Sequence, residues 1–275
     1  MEVSFQTYKH NFSKKEWTII MQYDDRTKAL ITSKYPLTAK YDIKWIEENA
    51  MGSNPVLLAE SLSRVIDFKP GMRVMDMGCG KAISSIFLAK EFGVTVYATD
   101  LWNDATDNWK RICEAGIQDK VIPIKADVHK LPYANDYFDA IICINSFNFY
   151  GHSDVFLTEY VANILKPEGV FGLAFYGPTN EFNGKILEKL KPTWHTFECI
   201  YHSLDWHKWH FEKTTLFDIE MADDVDGDGC GLLMGNFFDD GTPDLSKAPF
   251  GYMRWNRLVA RRNHVPPEKF WEGGM

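Results

Sequence analysis

Residues 73–86 constrain the fold of this chain more than any other stretch. They open Arg73-Val74-Met75-Asp76-Met77-Gly78-Cys79-Gly80 and continue Lys81-Ala82-Ile83-Ser84-Ser85-Ile86. Val74 and Met75 read as the end of a buried strand, with Asp76 at its carboxyl end. Gly78 and Gly80 turn the chain tightly, and the spacing predicts a helix over 82–92. Glycine reaches positive φ without steric cost and leaves room for close approach. The helix amino terminus offers unpaired N–H groups and partial positive charge. In open α/β sheets, ligands lie beyond the carboxyl ends of the strands. A strand, a glycine turn and a helix in this order make a cofactor cradle, or else an ordinary structural turn without a ligand.

The residue pattern discriminates among cofactors. A dinucleotide fingerprint needs a third small residue where Ile83 stands, and Asp76 would repel a pyrophosphate. A carboxylate there suits a cation, and S-adenosylmethionine (SAM) carries an ammonium and a sulfonium. Asp76-x-Gly78-x-Gly80 resembles the first motif of class I SAM-dependent methyltransferases, whose usual third glycine is Ala82 here. The resemblance implies an α/β fold: a doubly wound, mostly parallel seven-stranded Rossmann-like sheet with helices on both faces. An aromatic cap from both ends of the chain would be added to it.

Composition narrows the function classes. The chain has 275 residues, 45% hydrophobic and 25% charged, which fits a globular protein with a substantial core. A net charge of −8 disfavours a nucleic-acid partner, because phosphates need a basic face. No apolar run reaches membrane-spanning length and no signal peptide is evident. Five scattered cysteines, Cys79, Cys113 and Cys143 among them, read as reduced thiols in a cytoplasmic protein. No metal site is expected: no Cys-x-x-Cys or His-x-x-x-His pair occurs, and His207 and His210 lack a third ligand. Asp224, Asp226 and Asp228 mimic the start of a calcium loop, but Gly235 stands where the bidentate Glu belongs. Oligomeric state is left open.

Three regions follow. Residues 1–54 are polar and aromatic (Phe5, Tyr8, Phe12, Trp17, Tyr23, Tyr35, Tyr41, Trp45), with a short helix expected over 45–51. Tyr41 and Trp45 are candidates for a lid over the substrate, or simply pack this segment onto the core. Residues 55–178 form the expected SAM-binding core. Asn54 caps a helix that Pro55 begins, and Leu57, Leu58, Leu62, Val65 and Ile66 recur at helical spacing. Strands are predicted over 94–98, 121–126, 140–144 and 170–176, with helices over 104–115 and 154–165 between them. That alternation argues a parallel sheet. Residues 179–275 would complete the sheet and line the substrate pocket. Helices are expected over 180–190 and 206–211, and strands over 216–222 and 252–260. The last would be antiparallel beside the sixth, or a helix.

Each core strand ends in a polar residue at one edge. Asp100 can accept from both ribose hydroxyls, and Leu101 and Trp102 can pack on adenine. Asp127 can accept from the adenine amino group and the Val128 N–H can donate to a ring nitrogen. With Asp76, Gly78, Cys79, Gly80 and Asn145, these are the cofactor-binding residues that the resemblance implies. Residues 131–139 (Leu131-Pro132-Tyr133 to Phe138-Asp139) resemble the loop before the fourth strand in that family's small-molecule branch, around ubiquinone-type and cyclopropane-synthase-like enzymes.

Methyl transfer from a sulfonium is an in-line displacement, so alignment and water exclusion dominate. His152, Tyr150 and His129 are the candidate catalytic groups. Amides at Asn145 and Asn148 stand where a base might be expected, which fits a thiolate or an already deprotonated amine. Tyr41, Trp45, Asn148, Trp206, Trp209 and His210 are candidate substrate contacts, the last three as an aromatic wall beside a cation. The expected partner is a small-molecule methyl acceptor. The rivals are a nicotinamide-dependent oxidoreductase and a SAM-binding regulator that never turns over.

Overall fold

The computed structural model describes residues 25–51, 53–181, 201–225 and 253–267. The predicted helix over 180–190 falls outside this set beyond Glu181, as do Phe5 to Tyr23 and the acidic Asp226–Asp228 turn.

Seven strands make one sheet in the order β3-β2-β1-β4-β5-β7-β6. They are β1 (Arg73–Met77), β2 (Thr95–Asp100), β3 (Val121–Lys125), β4 (Phe138–Ile144), β5 (Leu165–Pro178), β6 (Phe217–Asp224) and β7 (Met253–Arg262). β1 to β5 are mutually parallel, and β7 lies antiparallel between β5 and β6. The chain order reverses between β1 and β4, which makes the crevice at their carboxyl ends the topological switch point.

Helices cover both faces because the central strands bury both. Val74, Val96, Ala140 and Ile142 join one core with α3 (Pro55–Ser63) and α4 (Ile83–Phe92). Met75, Met77, Ile141 and Phe171 join the other core. That second face carries α6, which opens with π geometry (Phe156–Val161) and closes as Ala162–Ile164, and α7 (Leu204–Glu212). α5 (Ala105–Glu114) follows β2 and sends Ile112 into the first core. The remaining helices are α1 (Asp25–Lys34) and α2 (Ile43–Asn49), ahead of α3 in the chain.

Local chemistry accounts for most boundaries. The Asn54 side chain accepts from the N–H groups of Val56 and Leu57, and Pro55 fills the first turn of α3. α3 stops at Ser63, so Val65 and Ile66 lie beyond it although they keep its apolar period. The expected helix over 82–92 begins one residue later. Ala82 sits before it at φ +61°, and no side chain caps that end. The last helix of the core ends at Ile164 instead of Leu165, which already pairs with Phe138. Lys166 to Gly169 then turn out of register, with Glu168 at φ +64°, before Val170 re-pairs with Ala140. The final segment is a strand, and its register with β5 runs unbroken from Val170–Arg261 to Pro178–Met253.

Among the described residues, no helix is long and apolar enough to cross a membrane. Asn54→Ala removes the only side-chain acceptor for two buried N–H groups. It should lower unfolding stability by about 1–2 kcal/mol, read as a reduced denaturation midpoint at unchanged slope.

Candidate active site

The glycine turn is fixed from below and from the side. Gly78 and Gly80 have φ of +76° and +57°. The N–H groups of Gly78 and Cys79 donate to the Thr99 carbonyl at 2.8 and 3.0 Å, which ties the turn to the end of β2. A Cβ on Gly78 would stand 2.2 Å from Ser146 Oγ and 3.3 Å from the Tyr150 hydroxyl. Close approach at Gly78 is therefore made by the protein's own Ser146, from the segment after β4. The Ser146 and Tyr150 hydroxyls both donate to the Met77 carbonyl, at 2.8 and 3.0 Å. The Cys143 thiol lies 3.0 Å from each of them.

Asp76 is fully buried within β1. Its Oδ2 accepts from Ser84 and Ser85, both at 2.6 Å, in the first turn of α4. Its Oδ1 is buried with no hydrogen-bond partner among the described residues. Burial pushes its carboxyl up to about 6, while the two serines oppose that rise. Across the crevice, Asn145 follows β4 at φ +51°, and its Oδ1 is likewise buried without a partner among the described residues. Asn148, 1% exposed, has neither amide atom partnered among the described residues.

Asp100 ends β2 and is nearly buried. Its Oδ1 accepts from the N–H groups of Trp102 and Asn103 and from the Asn103 amide. Its Oδ2 accepts from the Gly80 N–H at 2.9 Å. Each carboxylate oxygen has about two lone-pair sites, and among the described residues Oδ2 takes only this one donor, so it keeps room for a second. Leu101 and Trp102 beside it are exposed, and Trp102 meets Phe149 edge-on at 5.4 Å. Asp127 follows β3, and its Oδ1 accepts from both the backbone and the ring of His129. Burial acts to raise the Asp127 carboxyl, but the His129 contacts outweigh it and hold it low. Val128 is buried in the second core.

The candidate catalytic groups are strongly engaged. Tyr150 is held well above the ordinary phenol range, first by burial and then by Cys143, so it stays protonated. The His129 ring lies against Phe156 and Tyr160 at 5.1 and 5.6 Å. His152 meets His202 edge-on at 4.7 Å and Trp206 at 5.5 Å.

Tyr41 does not overhang the crevice. Its hydroxyl donates to Glu91 in the last turn of α4, at the far edge of the sheet, and its ring packs on Phe87 and Trp45. The residue over the glycine turn is Met51. Its sulfur would lie 3.3 Å from a Cβ on Gly80, and the Asn103 amide reaches it at 3.4 Å. Sequence reasoning missed Met51, Asn103, and the Ser84–Ser85 pair that fixes Asp76.

The ring wall on α7 runs from solvent into the core. Trp209 is 54% exposed with Lys213 Nζ over its ring at 3.9 Å, whereas His210 is buried and donates through Nε2 to the Gly151 carbonyl. Trp206 stacks on His210 at 4.6 Å. A separate cavity of about 460 Å³ opens at the β5, β6 and β7 end, lined by Asn180, Leu204, Asp205, Asp224, Arg254 and Asn256 among others. Among the described residues, no group of three or more His, Cys, Asp or Glu side chains could hold a metal.

The crevice at the switch point is bordered by Asp76, Asp100 and Asn145. Residues 74–169 match the family profile described as a methyltransferase domain. The methyltransferase GfsG of Streptomyces halstedii is 31% identical over 118 residues, 42% of each chain. A fatty-acid O-methyltransferase of Mycolicibacterium smegmatis is 35% identical over 103 residues, 37% of this chain and 36% of that one. The matched regions thus span well under half of these curated relatives. Among solved structures, geranyl diphosphate C-methyltransferase from Streptomyces coelicolor A3(2) superposes with a TM-score of 0.62 at 16% identity. That superposition covers 93% of this chain and 95% of the other, and it shows the shared fold.

His207 is fully buried against Phe175 and Phe147, and neither ring nitrogen has a partner among the described residues. Burial drives it well below the usual imidazole range, and drives His210 down to about 4. Both are neutral in the fold at pH 7. Their contribution is fully present above about pH 6.5 and is lost as pH falls toward 4. Asp76 contributes in the opposite sense over about the same window. His207→Phe should therefore raise stability by about 1–3 kcal/mol at pH 5 relative to wild type, with a smaller gain at pH 8. Paired thermal melts at the two pH values read this difference.

Proposed function

We propose that this protein transfers a methyl group from SAM to a small-molecule acceptor. The observation that carries the reading is a pair of buried acceptor atoms without a partner among the described residues, Asp76 Oδ1 in β1 and Asn145 Oδ1 just after β4, at the switch point. Unpaired buried polar atoms are costly, and a ligand ammonium would satisfy them. The spare lone pair on Asp100 Oδ2 fits a ribose hydroxyl, and exposed Leu101 and Trp102 fit an adenine face. Asp127 Oδ2 and the Val128 N–H would read the adenine edge. SAM when bound supplies an electrophilic methyl on a neutral leaving group. The chain's own part is to hold that methyl against the acceptor and keep water out.

The matched methyltransferase domain and the absence of a small residue at Ile83 both weigh against a nicotinamide-dependent oxidoreductase. The buried free thiols of Cys79 and Cys143 support a reducing, cytoplasmic setting.

Isothermal titration with SAM, S-adenosylhomocysteine and NAD, followed by a labelled-methyl screen, tests the assignment. Binding of NAD alone would refute it, and SAM binding without transfer to any acceptor would favour a regulator. Asp100→Ala should weaken SAM binding at least tenfold, through lost hydrogen bonds worth about 1–3 kcal/mol. Wild-type SAM affinity should also fall as pH drops below about 6, because protonated Asp76 no longer offers a charge to the ammonium. A flat profile from pH 7.5 to 5 would remove Asp76 from the ammonium site.

A further inference from the structure

Two residues on either side of a long segment after β5 meet beside the carboxyl end of that strand. Glu181 Oε2 lies 3.2 Å from His202 Nδ1, and Glu181 Oε1 accepts from the Ser203 N–H. The His202 ring stacks on Trp206 at 3.9 Å with an interplanar angle of 12°. Its backbone is held as closely: a Cβ on Gly177 would stand 2.3 Å from the His202 carbonyl oxygen. The imidazole is thus fixed by a carboxylate, an indole and a strand end. Nδ1 faces the carboxylate, which leaves Nε2 as the nitrogen able to accept. The His202 side chain keeps 24% exposure, unlike His207 and His210 on the following helix. Its ring lies 4.7 Å from that of His152, which belongs to the same turn as Asn148 and Tyr150 beside the Gly78 turn. Asn180, next to Glu181, and Leu204, two residues past His202, line the separate 460 Å³ cavity.

We propose that His202 is the general base of the methyl transfer, that Glu181 is its positioning residue, and that the acceptor is a neutral hydroxyl or phenol. The inference rests on the methyltransferase reading above. A carboxylate that accepts Nδ1–H fixes the tautomer and offsets the charge of the imidazolium that forms. In the step, the acceptor O–H proton moves to His202 Nε2. The oxygen lone pair forms the new O–C bond. The C–S bond breaks, and its electron pair stays on a neutral thioether sulfur. The proton then leaves to solvent. A preformed thiolate would need no such pair, so the acceptor expected from the amides Asn145 and Asn148 alone is replaced by a protic oxygen nucleophile.

The test uses the full chain, with titration of wild type by SAM run first. If wild type does not bind SAM, the function reading has failed, whatever the pair does. With SAM bound, the probes are a panel of phenols and hydroxylated carboxylic acids with labelled methyl donor. His202→Ala should lower kcat by about 10²–10⁴-fold at little change in SAM affinity. Added imidazole should restore part of the rate. Glu181→Gln should leave SAM binding intact and lower kcat by a smaller factor than His202→Ala. Without any acceptor, ¹⁵N imidazole NMR at pH 8 should show His202 as the Nδ1–H tautomer in wild type, and a mixed tautomer in Glu181→Gln. An Nε2–H tautomer in wild type, unchanged turnover in both variants, or no methylation of any hydroxyl probe by SAM-binding wild type would overturn the proposal.

Discussion

The Met77 carbonyl is the point on which the site depends. It leaves β1 at the switch point and receives two hydroxyls, Ser146 and Tyr150, from the segment that follows β4. Gly78 has no side chain to block that contact. The two strands are therefore joined at their carboxyl ends by side-chain hydrogen bonds as well as by the ladder between Val74–Asp76 and Ala140–Ile142. With that floor in place, Thr99 and Asp100 hold the turn from the β2 side. The glycine turn is thus held on both sides by hydrogen bonds to neighbouring strand ends.

The acidic rim is built as much for the protein as for a ligand. Asp100 already carries four donors, and Asp76 is clamped by two serines at the positive end of α4. These bonds orient the carboxylates in advance. Among the described residues, the buried polar atoms left unsatisfied at the switch point include one oxygen of Asp76, one of Asn145 and both amide atoms of Asn148. Pre-oriented acceptors cost a ligand less to engage than mobile ones, so the internal bonds and a binding role are compatible.

The local parts of this architecture were legible in sequence, and the long-range parts were not. Asp76, the glycines, the Asn54 cap and the strand–helix alternation depend on neighbours a few residues away, and spacing reports them. Tyr41 reads as a lid only because aromatic residues carry no address. Its tie to Glu91 spans 50 positions and puts it at the other end of α4. Met51 is a bland residue in sequence and covers Gly80 in space. Glu181 and His202 are 21 positions apart with no pattern between them, so their pairing needed the fold. On α7, one period fits two faces. Only the packing decides that His207 and Phe211 go inward while Trp209 stays in solvent.

Ala82 carries a last implication. It precedes α4 in a left-handed conformation, with a methyl side chain that cannot stopper the helix entrance. Serine or aspartate at such a position commonly strengthens a protein by occupying the first amides. The left-handed backbone at Ala82 is set against such a cap, and Ile83, Ser84 and Ser85 behind it are buried. The left-handed step at Ala82 is therefore a tight corner between the glycine turn and α4, and a β-branched replacement there would strain the backbone that seats Ser84 and Ser85 against Asp76.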